Sequence, residues 1–170
     1  MSILEIVKYG NSTLAKRAEE IKTIDKEIEE LAQNMVQTMH AAPGIGLAAP
    51  QVNVSKRLIT VDLSVGENSE DLIILINPEF VSQEGEIILE EGCLSVPDVS
   101  ERVTRPSRVV VKGTDLKGKE KIIEAEGTMA RVFCHEIDHL NGKLFFENLS
   151  PLKRNIIKKK LKKRVQTDKI

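Results

Sequence analysis

Aromatic residues are scarce in this chain, which has no Trp, a single tyrosine at Tyr9 and four Phe among 170 residues. So few rings leave little on which nucleic-acid bases could stack. The hydrophobic content of 41% must therefore build an aliphatic core, and this length fits one domain around one core. The composition predicts a single aliphatic domain and argues against a base-stacking surface.

Cysteines and long apolar runs are also few. Cys93 and Cys134 are the two cysteines, too few for the disulfide framework of a secreted protein. No apolar run approaches membrane-spanning length, and residues 1–10 lack the basic region and cleavage site of a signal peptide. We expect a cytoplasmic protein with no membrane partner, whose cysteines stay reduced.

The net charge of −1 hides a strongly basic end. Residues 150–170 contain nine basic residues and one acidic residue, a local charge of +8 that leaves −9 for the remainder. Ser150 is a plausible N-cap and Pro151 a first helical residue. The predicted helix has an apolar side made of Leu152, Ile156, Ile157, Leu161 and Val165. The lysines and arginines around it are either a solvated helix end or a surface that binds RNA phosphates.

The rest of the chain mixes helices with short strands. Apolar residues from Ile24 to Met39 recur at helical spacing, so we predict an amphipathic helix that ends before Pro43. Strands are predicted at 57–63 and 72–76, with hairpins joining 80–83 to 86–90 across Gly85 and 108–112 to 121–126. No strand–helix–strand alternation appears, so the fold class is α+β with mostly antiparallel strands.

The most informative motif is one H-E-x-x-H at His135, Glu136 and His139. On a helix the two histidines lie one turn apart on one face, and both can reach a single metal ion. Glu136 is offset by about 100° and suits a base acting on water beside the metal. Met129, Phe133, Ile137 and Leu140 occupy a second face that can be buried. We therefore predict a central helix that presents a metal site, although two histidines in a helix can match this pattern by chance.

Two histidines do not complete such a site, so a third ligand is required. Cys93 follows a predicted strand and precedes a loop that contains Pro97, which presents its thiol at an edge. Cys134 is a rival, but it lies about 120° around the helix from the two histidines and is more simply a buried thiol. A disulfide between the two cysteines would remove the ligand, and a reducing compartment argues against it.

One thiolate and two imidazoles leave a position for water, as catalytic sites of this kind do, and the arrangement predicts a hydrolase. A zinc endopeptidase is one alternative, although a thiolate ligand fits that class poorly. An RNA-binding protein without enzymatic activity is another, suggested only by the basic end. The Gly/Ala-rich loop 44–49 is similar to a dinucleotide-binding loop, but it follows a helix and Pro50 would break the next one.

Three motifs in order, Gly44 to Gln51, Glu91 to Ser95 and His135 to His139, resemble those of the peptide deformylases. The resemblance covers nearly the whole chain, with residues 1–149 as the catalytic domain and 150–170 as a basic C-terminal helix of the same domain. It implies removal of the formyl group from the N-terminal formylmethionine of newly synthesised chains. It also implies a monomer whose C-terminal helix contacts the ribosome.

The resemblance assigns roles to residues. Cys93, His135 and His139 would hold Fe²⁺, with Zn²⁺, Ni²⁺ or Co²⁺ as other occupants of the site, and Glu136 would be the general base and acid. Gln51 and the Leu94 N–H would stabilise the oxyanion, and Glu91 with Arg105 would support the cysteine loop, unless both are solvated charges. The substrate would contact Ile45, Gly46, Gly92, Leu89 and Val132, the last two in the methionine pocket.

Two positions depart from the family pattern. Cys134 stands where the family usually has Gln, so a local hydrogen bond is expected to be absent. Ser100 stands where some relatives have an Arg that contacts the distal substrate backbone. Asp138 either contacts one of the metal ligands or pairs with another charge at the helix surface, and the sequence does not decide between these.

Overall fold

The computed structural model describes residues 2–168, so Lys169 and Ile170 of the basic end lie outside the described residues. The described residues form three α-helices and seven strands. All seven strands lie between α1 and α2 in the chain, with no strand–helix–strand repeats, which confirms the α+β class. The elements in order are α1 (Lys26–Ala41), β1 (Gly46–Ala48), β2 (Leu58–Val61), β3 (Ile73–Glu84), β4 (Ile87–Cys93), β5 (Val96–Arg105), β6 (Arg108–Thr114), β7 (Glu120–Glu126), α2 (Thr128–Leu140) and α3 (Pro151–Asp168).

The strands form two antiparallel sheets. The larger has the order β1-β2-β3-β6-β7, and the smaller is the pair β4-β5. The predicted hairpin between β6 and β7 is confirmed, but the one across Gly85 is wrong because β3 pairs with β6 and β4 with β5. Gly85, at φ 69°, instead turns the chain from one sheet into the other. The strand patterns predicted β2, β3, β4, β6 and β7 but not β1 or β5, and the pairing of the strands depends on long-range packing.

Two strand boundaries also differ from the expectation. Strand β3 continues past Asn77 and Pro78 to Glu84, with a register shift between Ile76 and Glu79 and a left-handed Asn77 at φ 52°. Pro97, expected in a loop, lies in β5, next to the tight turn that follows Cys93. The turn returns the chain at once along β4, so the cysteine sits at a hairpin end.

Helix α2 packs on the larger sheet through its predicted apolar face. Phe133, Ile137 and Leu140 are buried in a cluster that includes Leu75 and Val111. The C-terminal end of the helix is held by Arg57, whose guanidinium donates to the Leu140 carbonyl at 2.9 Å and to Asn141 Oδ1 at 3.0 Å. A cation there also complements the helix dipole. The position of the H-E-x-x-H helix is therefore set by the core and by one long-range cap.

Helix α3 begins at Pro151, as predicted, with the Lys153 N–H donating to Ser150 Oγ at 3.4 Å. Its predicted apolar side is only partly buried. Ile157 and Leu161 pack in a cluster with Val96 and Val103 of the smaller sheet, whereas Leu152 is 72% exposed. Ile156, at 59%, is exposed as well. None of the helices within residues 2–168 has the length and apolar character to cross a membrane.

Candidate metal centre and active site

Three metal-ligating side chains meet where the β4-β5 hairpin contacts α2. The ligand atoms of Cys93, His135 and His139 all lie within 4.8 Å of one another. Cys93 Sγ is 3.2 Å from His139 Nε2, and the two histidine Nε2 atoms are 3.3 Å apart. The structure thus brings together the three residues expected from the sequence. Their atoms converge closely enough to share one ion.

The orientation of His135 is set by Glu91. Its Nδ1 lies 3.0 Å from Glu91 Oε1, and because Glu91 is paired and ionised, the Nδ1–H donates and leaves the Nε2 lone pair facing His139 and Cys93. A ligating histidine held in this way is typical of metal sites in proteins. The donor set therefore fits a transition metal in atom type, and His135 is held in the tautomer that a metal ligand needs.

Glu91 is itself held by Arg105 in a buried, two-point ion pair, with Nε to Oε2 at 2.8 Å and Nη2 to Oε1 at 2.9 Å. Burial alone would raise the pKa of Glu91, but the hydrogen bonds from Arg105 and His135 outweigh it and lower the pKa to about 2. Arg105 also donates to Asp138 Oδ2 at 2.7 Å. Glu91 and Arg105 are therefore a buried pair rather than two solvated charges, and Asp138 is the partner of another charge, Arg105.

Glu136 lies on the same face of α2, beside the ligands. It is 4% exposed, it lines the cleft, and its Oε1 has no hydrogen-bond partner among the described residues. Burial raises the pKa of this carboxyl to about 7, against the opposing effect of His135. A carboxyl that titrates near neutrality suits proton transfer. Gly46 leaves it room, since a Cβ on that residue would lie 2.5 Å from Glu136 Oε2.

Gln51 reaches the cysteine from the 3₁₀ turn Ala49–Val52. Its Oε1 accepts from the Ala48 N–H at 3.0 Å, which fixes the amide orientation. Its Nε2 then donates towards Cys93 Sγ at 3.5 Å and Ser95 Oγ at 3.3 Å. The amide N–H groups therefore point at the end of the β4-β5 hairpin, beside Leu94 of the cleft wall. This places a donor where charge can develop on a bound ligand.

A cleft of about 710 Å³ opens over these residues. Of the expected substrate contacts, Ile45, Gly46, Gly92 and Val132 line it. Leu89 is not among the lining residues. Leu89 is half-buried on β4, and its contact with the substrate stays a prediction.

The structure shows the surroundings of Cys134 and Ser100, the two positions that depart from the family pattern. Cys134 is buried and free, and burial raises the pKa of its thiol to about 11, so it is separate from the ligand set. Cys93 is free as well, and the alternative disulfide is absent. Ser100 Oγ donates to Glu90 Oε1 at 2.9 Å, so both line the cleft as a bonded pair.

Three features did not follow from the sequence: the cap by Arg57, the identity of Arg105 as the partner of Asp138, and the place of Arg131 in the cleft wall. Only Arg131 had a local signal, because it lies one helical turn before His135 on the same face. The other two contacts join residues 83 and 33 positions apart, which no local pattern reveals.

Comparison with known proteins gives a consistent result. A family model described as polypeptide deformylase matches residues 3–155. The peptide deformylase of Thermodesulfovibrio yellowstonii is 54% identical over 162 residues, covering 95% of this chain and 98% of its own. A solved peptide deformylase from Legionella pneumophila superposes with a TM-score of 0.89 at 43% identity, covering 98% and 97% of the two chains. The Ehrlichia chaffeensis enzyme, solved with actinonin, gives 0.87 at 40%, covering 96% and 98%.

Proposed function

This chain belongs to the peptide deformylase family, hydrolases that release formate from the N-terminal formylmethionine of new polypeptides, and we propose that Cys93, His135 and His139 hold its metal. The observation that carries the assignment is the convergence of these three ligand atoms beside the buried carboxylate of Glu136. The His135 tautomer imposed by Glu91 supports it, because it keeps the Nε2 lone pair available.

The donor set also bears on which metal is bound. A thiolate with two imidazoles suits Fe²⁺ and Zn²⁺ and accepts Ni²⁺ or Co²⁺. We propose Fe²⁺ as the natural occupant. A metal held there supplies Lewis acidity, which makes water nucleophilic near neutral pH.

Glu136 is proposed to take a proton from the attacking water and to deliver it to the departing amine nitrogen. The formyl C–N bond breaks, the formyl carbon keeps the water oxygen, and formate and a free amino terminus result. Its burial and its unpartnered Oε1 suit this shuttle. Donors from the Gln51 amide and the Leu94 backbone N–H would stabilise the negative oxygen that develops during attack.

The substrate backbone is proposed to lie along Ile45, Gly46 and Gly92. All three line the cleft, and the two glycines allow close backbone approach, in the manner of a peptide added to a strand. Val132 provides apolar surface for the first side chain, one helical turn before His135.

The experiment is formate release from formyl-Met-Ala-Ser by metal-loaded protein, with mass spectrometry of the peptide product. Glu136→Gln should keep its metal content and lose turnover by about 10²–10⁴-fold, because the proton shuttle is removed. Glu124→Gln, on exposed β7, is the matched control and should be fully active. Near-normal formate release by Glu136→Gln contradicts the assigned role. Cleavage at internal peptide bonds would favour the zinc endopeptidase.

We also propose a monomeric cytoplasmic enzyme that meets its substrate at the ribosome through α3. The charges that support this are exposed on the helix, at Lys153, Lys159, Lys160, Lys162 and Lys163. They are numerous enough to neutralise several RNA phosphates, and such binding weakens steeply with salt. The packing of Ile157 and Leu161 against the smaller sheet supports treating residues 150–170 as part of the same domain.

This interaction is best tested by charge removal rather than truncation. Deletion from Lys158 onward would also remove Leu161, which is 2% exposed in the cluster with Val96. Replacing Lys159, Lys160 and Lys162 by Gln should lower cosedimentation with ribosomes at low salt and leave formate release from a short peptide unchanged. The matched control replaces the exposed Lys117, Lys119 and Lys121. Equal cosedimentation of the two triple variants contradicts the proposal.

A further inference from the structure

Arg131 is a cleft residue that the proposed mechanism does not use. It is the one Lys or Arg among the residues that line the cleft, and it is half-buried. Its Nε is buried without a hydrogen-bond partner, and among residues 2–168 its guanidinium makes no hydrogen bond or ion pair. A guanidinium carries five N–H donors, and a buried donor without an acceptor is costly. A guanidinium with unused donors in a substrate cleft is therefore placed to bind an acceptor on a ligand.

Each of the other charged residues of the cleft already has a partner or a proposed catalytic role. Glu90 accepts from Ser100, and Asp98 is paired with Arg164 of α3. Glu136 is the proposed proton shuttle. Arg131 attracts Glu136 electrostatically but makes no hydrogen bond with any described residue, so its donors remain open to a bound substrate.

The position of Arg131 indicates which part of the substrate it meets. It lies four residues before His135 and next to Val132, which puts its Cβ about 5–6 Å from that of the ligand. The reacting formyl group is attached to the α-nitrogen of the first residue, so the first side chain begins within a few bonds of the metal ligands. The wall of the cleft one turn away along α2 is where that side chain extends. There Val132 offers apolar surface and Arg131 offers donors.

We infer that Arg131 makes the enzyme competent towards N-formylmethionine sulfoxide, which is a further substrate class. This rests on the proposed deformylase site. A thioether sulfur is a weak acceptor, whereas the oxidised side chain ends in a polar, chiral sulfoxide oxygen. The guanidinium donates to that oxygen. The reaction is otherwise unchanged: the formyl C–N bond breaks, water supplies the hydroxyl of formate and the proton of the amine, and the sulfoxide is neither oxidised nor reduced.

The test compares formyl-Met-Ala-Ser, its norleucine analogue and the two separated sulfoxide epimers as substrates of the metal-loaded enzyme. Wild-type kcat/KM for the better epimer should lie within about tenfold of that for the norleucine peptide, because a hydrogen bond from a charged donor offsets the cost of burying the sulfoxide oxygen. Arg131→Leu keeps an apolar wall and should lower the sulfoxide-to-norleucine ratio by about tenfold or more, mainly through KM. The preference between epimers should shrink as well. Arg102→Leu, at an exposed arginine on β5, is the matched control.

The outcomes separate this inference from the function on which it depends. Absence of formate from formyl-Met-Ala-Ser would contradict the deformylase site itself. Normal release from that peptide, with wild-type sulfoxide turnover more than 100-fold below norleucine, overturns the inference without any variant. A uniform fall for all four peptides in Arg131→Leu also overturns it, because it would mean that Arg131 contacts the peptide backbone.

Discussion

Arg105 donates two hydrogen bonds to Glu91, at 2.8 and 2.9 Å, and both side chains are at least 95% buried. The pair connects β4, which ends at Cys93, to α2, because Glu91 orients His135 and a third N–H of Arg105 donates to Asp138. An ion pair at the surface contributes little to folding stability. Breaking a buried pair is strongly destabilising, because removal of one partner leaves the other charge buried and unpaired.

The first prediction is that Arg105→Met lowers the free energy of unfolding by about 3–5 kcal/mol, because Glu91 is left buried and unpaired. Urea unfolding monitored by circular dichroism measures the change. Arg108→Met removes a more exposed arginine on β6 that pairs with Glu124, and it should cost under about 1 kcal/mol. Equal losses in the two variants would show that burial of the Arg105 pair is unimportant.

The second prediction concerns Gly46. In Gly46→Ala the new Cβ would lie 2.5 Å from Glu136 Oε2 and 2.9 Å from Val132 Cγ1, so the carboxylate must move. We expect kcat/KM for formyl-Met-Ala-Ser to fall by about 10²-fold or more, since the misplaced group is the proposed proton shuttle. Gly44→Ala, whose Cβ meets the flexible Leu94 side chain at 3.3 Å, should be much less affected. Comparable activity in both variants would refute the steric argument.

The third prediction is a pH dependence of stability at Asp62. This carboxylate is 1% exposed and accepts from the Ser64 and Gly66 N–H groups and from Ser64 Oγ, with His40 Nε2 at 2.7 Å. Burial would raise the pKa of Asp62, but these hydrogen bonds outweigh it and lower the pKa. A lowered pKa means that the ionised form stabilises the fold above the unfolded pKa of about 3.9 and that this stabilisation is lost as pH falls through the lower folded pKa.

Asp62→Asn should therefore be less stable than the parent by about 1–3 kcal/mol at pH 7, and the difference should shrink below about pH 4. Urea unfolding at pH 7, 5 and 3 measures it. Asp71→Asn, at an exposed carboxylate, serves as the control and should show little difference at any pH. A constant deficit of Asp62→Asn from pH 7 to 3 would show that charge at this position is not what stabilises the fold.

The fourth prediction is that air inactivates the iron-loaded enzyme faster than the nickel-loaded one. Fe²⁺ can be oxidised by air, and a ligand thiolate can be oxidised stepwise to sulfenic, sulfinic and sulfonic acids. Mass spectrometry of the inactivated protein should find oxidation at the partly exposed Cys93. Cys134 is an internal control, since burial raises the pKa of its thiol to about 11 and keeps it protonated. Equal half-lives for the two metal forms, or oxidation at Cys134 alone, would contradict this.

Local pattern was sufficient for much of the candidate site. The histidines and Glu136 could be placed on one helix from their spacing alone, because helical periodicity fixes which residues share a face. Cys93 was expected beside them from its strand-end position, and the structure brings it there. The capped start of α3 at Ser150 was also foreseen, since capping is a local interaction.

What the sequence by itself determined about this protein is thus its helices, five of its seven described strands and the residue types of its metal site. Only the tertiary structure decided which strands pair, so the hairpin expected across Gly85 became a passage between two sheets. It also decided that Glu91 and Arg105 are buried and that the Arg131 Nε has no hydrogen-bond partner among the described residues. The physical reason is that burial and ion pairing depend on contacts between residues distant in the chain, which no local periodicity specifies.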